Sequence, residues 1–207
     1  DMPTQYGSKI HEGNQPGCDA ACVAQIRELG GLILGKAVST EFATRQPNKT
    51  RNPLNPAHTP GGSSSGSAAA VADFMVPIAL GTQTSSSIVR PAAYCGVVGY
   101  KPSFGLINRA GLKFLSESLD TIGSLTRTIP DAALIVEELS GLTPTSFEEV
   151  GKLRPRIGLC RTPWWNAADD ASKANLEQAA RTLAAAGAHV ADVTLDDSFA
   201  ALDEIQI

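Results

Sequence analysis

Residues 61–105 read GGSSSGSAAAVADFMVPIALGTQTSSSIVRPAAYCGVVGYKPSFG, and this stretch decides the fold. It contains two serine clusters, at residues 62–66 and 85–87. Helix formers begin directly after the first cluster, at Ser67, so this cluster is predicted to lie at a helix N-terminus, where backbone N–H groups lack helical partners. The apolar run at residues 76–80 predicts a strand that leads towards the second cluster. Serine and glycine are common in turns, but two clusters that each adjoin a regular element indicate a built site.

Predicted helices and strands alternate along the rest of the chain. The helices are expected at residues 19–29, 131–139 and 171–186, and the strands at residues 32–34, 157–159 and 190–195. Residues 46–62 carry four prolines, which excludes a regular helix and predicts a long functional loop. This alternation predicts an α/β protein, layered α/β/α with a large mixed central sheet, and the simplest count is a single domain over residues 1–207.

The composition excludes several classes of function. Lys and Arg number 17 and Asp and Glu number 21, and the resulting net charge of −4 argues against nucleic acid or an anionic membrane as a partner. The longest apolar stretch, residues 71–80, is shorter than the roughly 20 residues of a membrane-spanning helix. The four cysteines and three histidines lack metal-ligand spacing, so we expect no metal site and reduced thiols in the cytoplasm.

Two chemical interpretations follow from the residues alone. A phosphate-binding loop would need Lys and Ser or Thr after its last glycine, but Ser67 and Ala68 follow Gly66. Residues 62–66 match the G-x-S-x-G nucleophile elbow, with Ser64 as nucleophile and His189 as its base. That elbow requires a strand immediately before it, where this chain has a proline-rich segment, so the elbow stays a minor alternative.

The stretch 61–105 also closely resembles the signature of the amidase signature family, whose members are Ser-Ser-Lys hydrolases that cleave carboxamides. LGKAVSTEFA at residues 34–43 and SLDTIGSLTRTIPDAALIVEELSG at residues 118–141 resemble that family's flanking blocks. The form SIVRPAAYCG is similar to that of the malonamidase-like members. The resemblance implies the amidase signature fold and hydrolysis of a small carboxamide through an acyl-serine intermediate, releasing ammonia or an amine without a metal or organic cofactor.

The resemblance assigns roles to one serine in each cluster. Ser87 falls where the family has its nucleophile, and Ser63 falls where the family has a bridging serine that follows a cis peptide bond. They are 24 residues apart (87 minus 63), which is the family's spacing. An unassisted serine hydroxyl is a poor nucleophile, so a base must take its proton. In this family a neutral lysine does so, through the bridging hydroxyl.

The same resemblance implies an oxyanion hole in the turn before the nucleophile. The backbone N–H groups of Thr84, Ser85 and Ser86 would donate to the oxyanion of the tetrahedral intermediate. Ser85 and Ser86 stand where the family usually has two glycines. If this turn requires a positive φ, serine there is strained where glycine is not.

Other polar residues near the signature have both a structural and a chemical interpretation. Thr82 and Arg90 either hold the loop or bind substrate, and the planar Arg90 guanidinium suits a substrate carboxylate. Asp120, Arg127 and Lys101 lie in family-like blocks, where loop anchoring explains them as well as chemistry does.

The family's lysine lies upstream of the block that DMPTQYGS resembles, so we expect it before Asp1. Lys9, Lys36 and Lys101 fall at positions that the family does not use as the base. We therefore expect a missing N-terminal segment. Residues 203–207 read like the opening of a helix, so we expect the chain to be incomplete at both ends.

Two further functions stay open beside the amidase. The chain is alternatively the glutaminase (A) subunit of a tRNA-dependent amidotransferase, which passes ammonia to a partner, or a catalytically inactive fragment or binding module. The expected partner is a small amide of unspecified identity, and the question of a homodimer stays open.

Overall fold

The computed structural model describes residues 2–196 and 198–199. The chain divides into two compact units, Asp1–Thr145 and Ser146–Ile207. The single domain inferred from the sequence stays a prediction. Within the described residues, no helix combines the length and the apolar character needed to cross a membrane.

The first unit contains a three-stranded antiparallel sheet. Its strands are β1 (Ile78–Gln83), β2 (Val98–Tyr100) and β3 (Thr121–Thr126), in the order β1-β3-β2. All six residues of the central strand β3 are buried. Gln83 at the end of β1 pairs with Thr121 at the start of β3, so the turn after β1 emerges beside the loop before β3.

Helices cover both faces of this sheet. Helices α2 (Ser65–Ala72) and α3 (Val89–Cys95) pack against the face that presents Leu125. Helix α1 (Ala21–Glu28) and helix α4 (Ile129–Ser140) lie on the opposite face, which presents Ile122. The first core consists of Ala68, Val71, Ile88, Ala92, Cys95 and Leu125, and the second of Cys22, Ile107, Ile122, Val136 and Leu139. The predicted α/β/α layering is confirmed.

The close approach of α2 to β1 depends on small residues. Gly81 on β1 faces the start of α2, and a Cβ at this position would lie 2.8 Å from the Ser64 hydroxyl and 2.8 Å from a Leu125 methyl. Both distances are shorter than any real Cβ contact. The first serine cluster therefore rests directly on the strand that leads into the second.

The second unit is a strand–helix–strand arrangement preceded by the short helix α5 (Phe147–Gly151). Strands β4 (Arg156–Cys160) and β5 (His189–Val193) pair in parallel, with helix α6 (Asp170–Ala185) between them in the chain. The Asp169 carboxylate accepts a hydrogen bond from the Ser172 N–H at the start of α6, and this bond lowers the pKa of Asp169. The helix and both strands predicted here are confirmed.

Some predicted elements differ from the observed ones. The strand predicted at residues 32–34 is wrong, because the segment is not paired with any described strand and Leu32 is 95% exposed. Helix α2 ends at Ala72, before Phe74, which adopts a positive φ of 58°. Strand β1 starts at Ile78, after Pro77, which has no N–H to donate to a sheet. Residues 46–62 form the predicted loop.

Candidate active site

Three serines in and directly after the first cluster use their hydroxyls to bind the backbone. Ser64, Ser65 and Ser67 are all buried, and each donates its side-chain hydrogen bond to a main-chain carbonyl oxygen. The acceptors are the carbonyl oxygens of Thr82 (3.2 Å), Val38 (3.1 Å) and Leu80 (2.8 Å), respectively. These hydroxyls therefore hold the start of α2 against β1 and against the segment before Thr40.

Ser64 lacks the surroundings that a nucleophile elbow requires. Its hydroxyl also accepts a hydrogen bond from the Thr82 N–H at 3.2 Å, so it bridges both main-chain groups of one strand residue. Residues 53–61, which precede it, form a loop and not a strand. His189, the base in that interpretation, lies on β5 in the second unit. The geometry favours a structural role for Ser64.

Ser63 is surrounded by main-chain hydrogen bonds. The peptide bond between Gly62 and Ser63 is cis, as the family resemblance implies. The Ser63 carbonyl accepts from the N–H groups of Thr40 (3.0 Å) and Ser65 (2.8 Å). The Gly62 carbonyl accepts from Arg90 Nε at 3.0 Å. Ser63 is 2% exposed, and in the described part of the chain its hydroxyl forms no hydrogen bond.

The structure brings the two serine clusters into contact. The N–H of Ser64, next to Ser63, donates to the Ser87 carbonyl at 3.2 Å. Ser87 is 8% exposed, at the base of a turn. Within residues 2–196, the hydroxyls of Ser63 and Ser87 are not hydrogen-bonded to each other. The backbone therefore juxtaposes the two predicted catalytic serines without a direct bond between their side chains.

The side chain of Gln83 shapes the turn that leads to Ser87. Its Nε2 donates to the Ser85 carbonyl at 2.8 Å, and its Oε1 accepts from the N–H groups of Ile88 (2.9 Å) and Val89 (3.0 Å). One buried carboxamide thus fixes both the turn and the first N–H groups of α3.

The N–H groups inside this turn are left without acceptors. Among the described residues, no carbonyl or side chain accepts a hydrogen bond from the backbone N–H of Thr84, Ser85, Ser86 or Ser87. Neither Ser85 nor Ser86 adopts a positive φ, so the strain considered for serine at these positions does not arise. Consecutive free N–H groups of this kind can bind a developing negative charge.

Thr82 lies on the other face of β1 from Gly81. It borders a cavity of about 100 Å³ that is also lined by Cys22, Leu80, Gly81, Leu112 and Ile122. Burial raises the pKa of the Cys22 thiol, which keeps it protonated and apolar. A larger cleft of about 510 Å³ is lined by residues 105–110, Phe114 and Leu139, and includes no residue of either serine cluster.

The charged residues of the flanking blocks anchor loops. Asp120 and Arg127 each hydrogen-bond another segment, whereas Lys101, among the described residues, bonds only the residue that follows it. Their partners are the Thr84 hydroxyl for Asp120, the Val71 and Val76 carbonyls for Arg127, and the Pro102 carbonyl for Lys101. These contacts support the loop-anchoring interpretation of Asp120 and Arg127.

A family model described as Amidase matches residues 1–206. The chain belongs to the amidase family. The amidase chain is 39% identical to the A subunit of a glutamyl-tRNA(Gln) amidotransferase from Exiguobacterium sibiricum, over 97% of this chain and 46% of that protein. A second relative with the same description, from Lysinibacillus sphaericus, is 47% identical over 69% of this chain and 31% of its own length.

Solved amidase structures have the same fold. The native peptide amidase of Stenotrophomonas maltophilia superposes with a TM-score of 0.85 at 36% identity, over 98% of this chain and 47% of that one. The A subunit of the glutamyl-tRNA(Gln) amidotransferase of Thermotoga maritima gives a TM-score of 0.82 at 34% identity, over 93% and 47%. The amidase chain thus spans about half the length, or less, of the relatives that it matches.

Sequence reasoning about this amidase missed the role of Gln83. The sequence carries only a weak signal, an amide directly before a serine-rich turn; the burial that leaves this amide few other partners is known from the structure. Its three hydrogen bonds became visible only once β1 and α3 were placed.

Among the described residues, none of the lysines considered as substitute bases is hydrogen-bonded to Ser63 or Ser87. Lys36 Nζ donates to the Thr4 hydroxyl, and burial lowers the pKa of its ammonium group. Lys101 donates to a main-chain carbonyl at 2.6 Å, and Lys9 is exposed on a short 3₁₀ helix. Across the described ranges of the amidase chain, no group of three or more His, Cys, Asp and Glu residues is placed to hold a metal ion.

Proposed function

We propose that the full-length protein carrying this chain hydrolyses a small carboxamide through an acyl intermediate on Ser87. The observation that carries this proposal is the turn at residues 84–87. Its N–H groups lack acceptors among the described residues, and it ends in a buried serine whose backbone contacts the segment of Ser63. A nucleophile next to free N–H donors is the arrangement that acyl transfer from an amide requires.

The proposed reaction begins with attack by the Ser87 oxygen on the amide carbon. The Ser87 proton passes to the Ser63 oxygen, and the proton of Ser63 passes to the neutral lysine that the family resemblance implies. The carbonyl oxygen becomes an oxyanion that accepts hydrogen bonds from the N–H groups of Thr84, Ser85 and Ser86. The C–N bond then breaks as the amine takes a proton back through Ser63. Water hydrolyses the acyl-Ser87 ester by the same proton route in reverse.

Thr82 and Arg90 are proposed as substrate contacts. Arg90 uses its Nε to hold the Gly62 carbonyl, which leaves both Nη groups without acceptors in the part of the chain that the structure describes. Two parallel N–H donors match a carboxylate. Thr82 lines the small cavity beside β1, which has room for a short apolar acyl chain. These contacts favour a small amide that carries a carboxylate.

A glutaminase subunit is the second candidate function. It is favoured by the curated relatives, which are described as the A subunit of glutamyl-tRNA(Gln) amidotransferase. In this case the carboxamide is that of glutamine, and the released ammonia passes to a partner protein. We also propose a cytoplasmic location, which the four free cysteines in the described residues support.

The direct test is ammonia release by the purified full-length protein from simple carboxamides, from malonamate-like amides with a free carboxylate, and from glutamine. We expect hydrolysis that is abolished by Ser87→Ala and retained in Ser172→Ala, which changes an exposed serine at the start of α6. Preference for a carboxylate-bearing amide that is lost in Arg90→Ala supports the proposed substrate contact.

The outcomes separate the candidates. If glutamine is the one amide that is hydrolysed, and only after the other amidotransferase subunits are added, the result supports the glutaminase. No ammonia from any amide, together with no covalent labelling of Ser87 by a phosphonate, contradicts both enzymes and supports the inactive module.

A further inference from the structure

Asp120 is a buried carboxylate directly before β3, beside the turn at residues 84–87. It is 4% exposed. Its Oδ1 accepts from the Thr84 hydroxyl at 2.5 Å. Its Oδ2 accepts from the N–H groups of Leu115 (2.6 Å) and Ser116 (3.0 Å). A buried carboxylate is costly unless it is hydrogen-bonded, so these three donors are required to keep it in place.

Asp120 forms these bonds without a cationic partner. Arg109 is the neighbouring guanidinium, but its Nη1 donates to the main-chain carbonyls of Glu117 (2.8 Å) and Asp120 (3.0 Å), and not to the carboxylate. In the described residues, no ion pair includes Asp120, and Thr84 is the only side chain that donates to it. The carboxylate thus depends on neutral donors.

Thr84 is the first residue of the turn whose N–H groups are free. Gln83 fixes the far part of this turn through the Ser85 carbonyl and the start of α3. Among the described residues, the bond from its hydroxyl to Asp120 is the only hydrogen bond that Thr84 forms. Asp120 therefore holds the turn at Thr84, and Gln83 holds it at the Ser85 carbonyl. The free N–H groups belong to Thr84, Ser85 and the two residues that follow.

We propose that Asp120 is a positioning residue for the turn at residues 84–87, whose N–H groups would bind the oxyanion, and that it acts through the Thr84 hydroxyl. This inference rests on the proposed function. Oxyanion donors contribute only when they lie about 2.7 to 3.1 Å from the developing charge, and a misplacement of about 1 Å costs roughly 10²-fold in rate. Because the same carboxylate binds Leu115 and Ser116, it also couples the position of this turn to the loop at residues 113–116.

The test uses the full-length protein and the substitution Thr84→Val, which removes the hydroxyl while keeping the shape of the side chain. We expect kcat for the best carboxamide to fall by roughly 10²-fold with KM changed by less than about threefold. Thr84→Ser keeps the hydroxyl and is expected to restore most of the lost kcat. Asp120→Asn, which removes one acceptor oxygen, is expected to lower kcat in the same way.

The matched control for Asp120→Asn is Asp131→Asn. Asp131 also accepts from a threonine hydroxyl, Thr128 Oγ1 at 2.7 Å, but at the exposed start of α4. We expect this substitution to leave kcat unchanged. If Thr84→Val lowers the yield of folded protein, kcat is counted per active site titrated with a phosphonate, so the comparison stays decisive.

Unchanged kcat in Thr84→Val, a loss confined to KM, or a loss that Thr84→Ser does not restore would each overturn the inference. These results leave the proposed function intact as long as the unsubstituted protein hydrolyses amides and is labelled at Ser87. An unsubstituted protein that does neither overturns the proposed function, and the positioning role with it.

Discussion

The two serine clusters have almost the same composition and opposite hydrogen bonding. At the first cluster, the hydroxyls of Ser64, Ser65 and Ser67 all donate to main-chain carbonyls. In the second, the hydroxyls of Ser85, Ser86 and Ser87 form no hydrogen bond among the described residues. The difference separates serines whose hydroxyls hold the backbone from serines whose hydroxyls have no partner among the described residues.

Ser63 belongs to the first cluster by sequence, but its hydroxyl lacks a hydrogen bond among the described residues, as those of the second cluster do. It follows the cis peptide bond, and its hydroxyl has no partner in the described chain, unlike those of its neighbours. Within the two clusters, hydrogen bonding and not position in the serine run therefore distinguishes the serines proposed for chemistry from those that hold the backbone. The predictions below test this division.

Among the variants that compare the two clusters, the largest effect is expected from Ser63→Ala. Removal of a proton-transfer group costs about 10²- to 10⁴-fold in rate, so we expect kcat to fall by roughly 10³-fold. The free energy of unfolding should change by less than about 0.5 kcal/mol, because the hydroxyl holds no other group among the described residues. Turnover of a carboxamide and urea denaturation measure the two quantities. A large loss of stability would place Ser63 with the structural serines.

Ser64→Ala should show the opposite pattern in stability. It leaves both the N–H and the carbonyl of Thr82 without their side-chain partner, and we expect a destabilisation of about 1 to 3 kcal/mol. Ser85→Ala is the control, since its exposed hydroxyl has no partner in the described chain, and its effect should stay within about 0.5 kcal/mol. Urea denaturation of both variants checks this, and equal midpoints would remove the distinction between the clusters.

Gly81→Ala tests the contact between the first cluster and β1. The added Cβ would lie 2.8 Å from both the Ser64 hydroxyl and a Leu125 methyl, so we expect a destabilisation of about 1 to 3 kcal/mol. Gly35→Ala is the control, because nothing lies within 4 Å of its Cβ. Thermal unfolding in parallel should separate the two variants. Tolerance of Gly81→Ala would mean that α2 does not rest on β1 as closely as described.

The smallest expected effect is in thiol reactivity. Cys95 packs in the core between the clusters and Cys22 in the core across the sheet, and burial raises the pKa of both thiols. At about pH 8, both thiols are therefore less ionised than an ordinary thiol. They should react more slowly with iodoacetamide than the exposed Cys18. Peptide mapping over time gives the order. Early modification of Cys95 would show that the core between the clusters opens readily.

The sequence predicts the layers of this fold better than its central strand. The long helices α4 and α6 and the strands β4 and β5 have clear apolar periodicity, and the sequence predicts all four. It does not predict strand β3, because four of the six residues of TIGSLT are polar or glycine, although every residue in it is buried. The burial of β3 comes from helices on both faces, which local sequence does not reveal.

The site shows the same limit. Resemblance to a family predicts roles for Ser63 and Ser87 and the cis peptide bond, since these depend on a short motif of fixed spacing. The contacts of Gln83 and Asp120 join residues up to 36 positions apart, so they required the tertiary structure. The predicted strand at residues 32–34 failed for a related reason, because apolar residues alone do not supply a pairing partner.

The most direct test of the division between the clusters is the site at which a fluorophosphonate attaches to the full-length protein, read by peptide mass spectrometry. The account predicts a single adduct on Ser87, absent in Ser87→Ala and still present in Ser64→Ala. An adduct on Ser64, or on any serine whose hydroxyl is bound to the backbone, would contradict it.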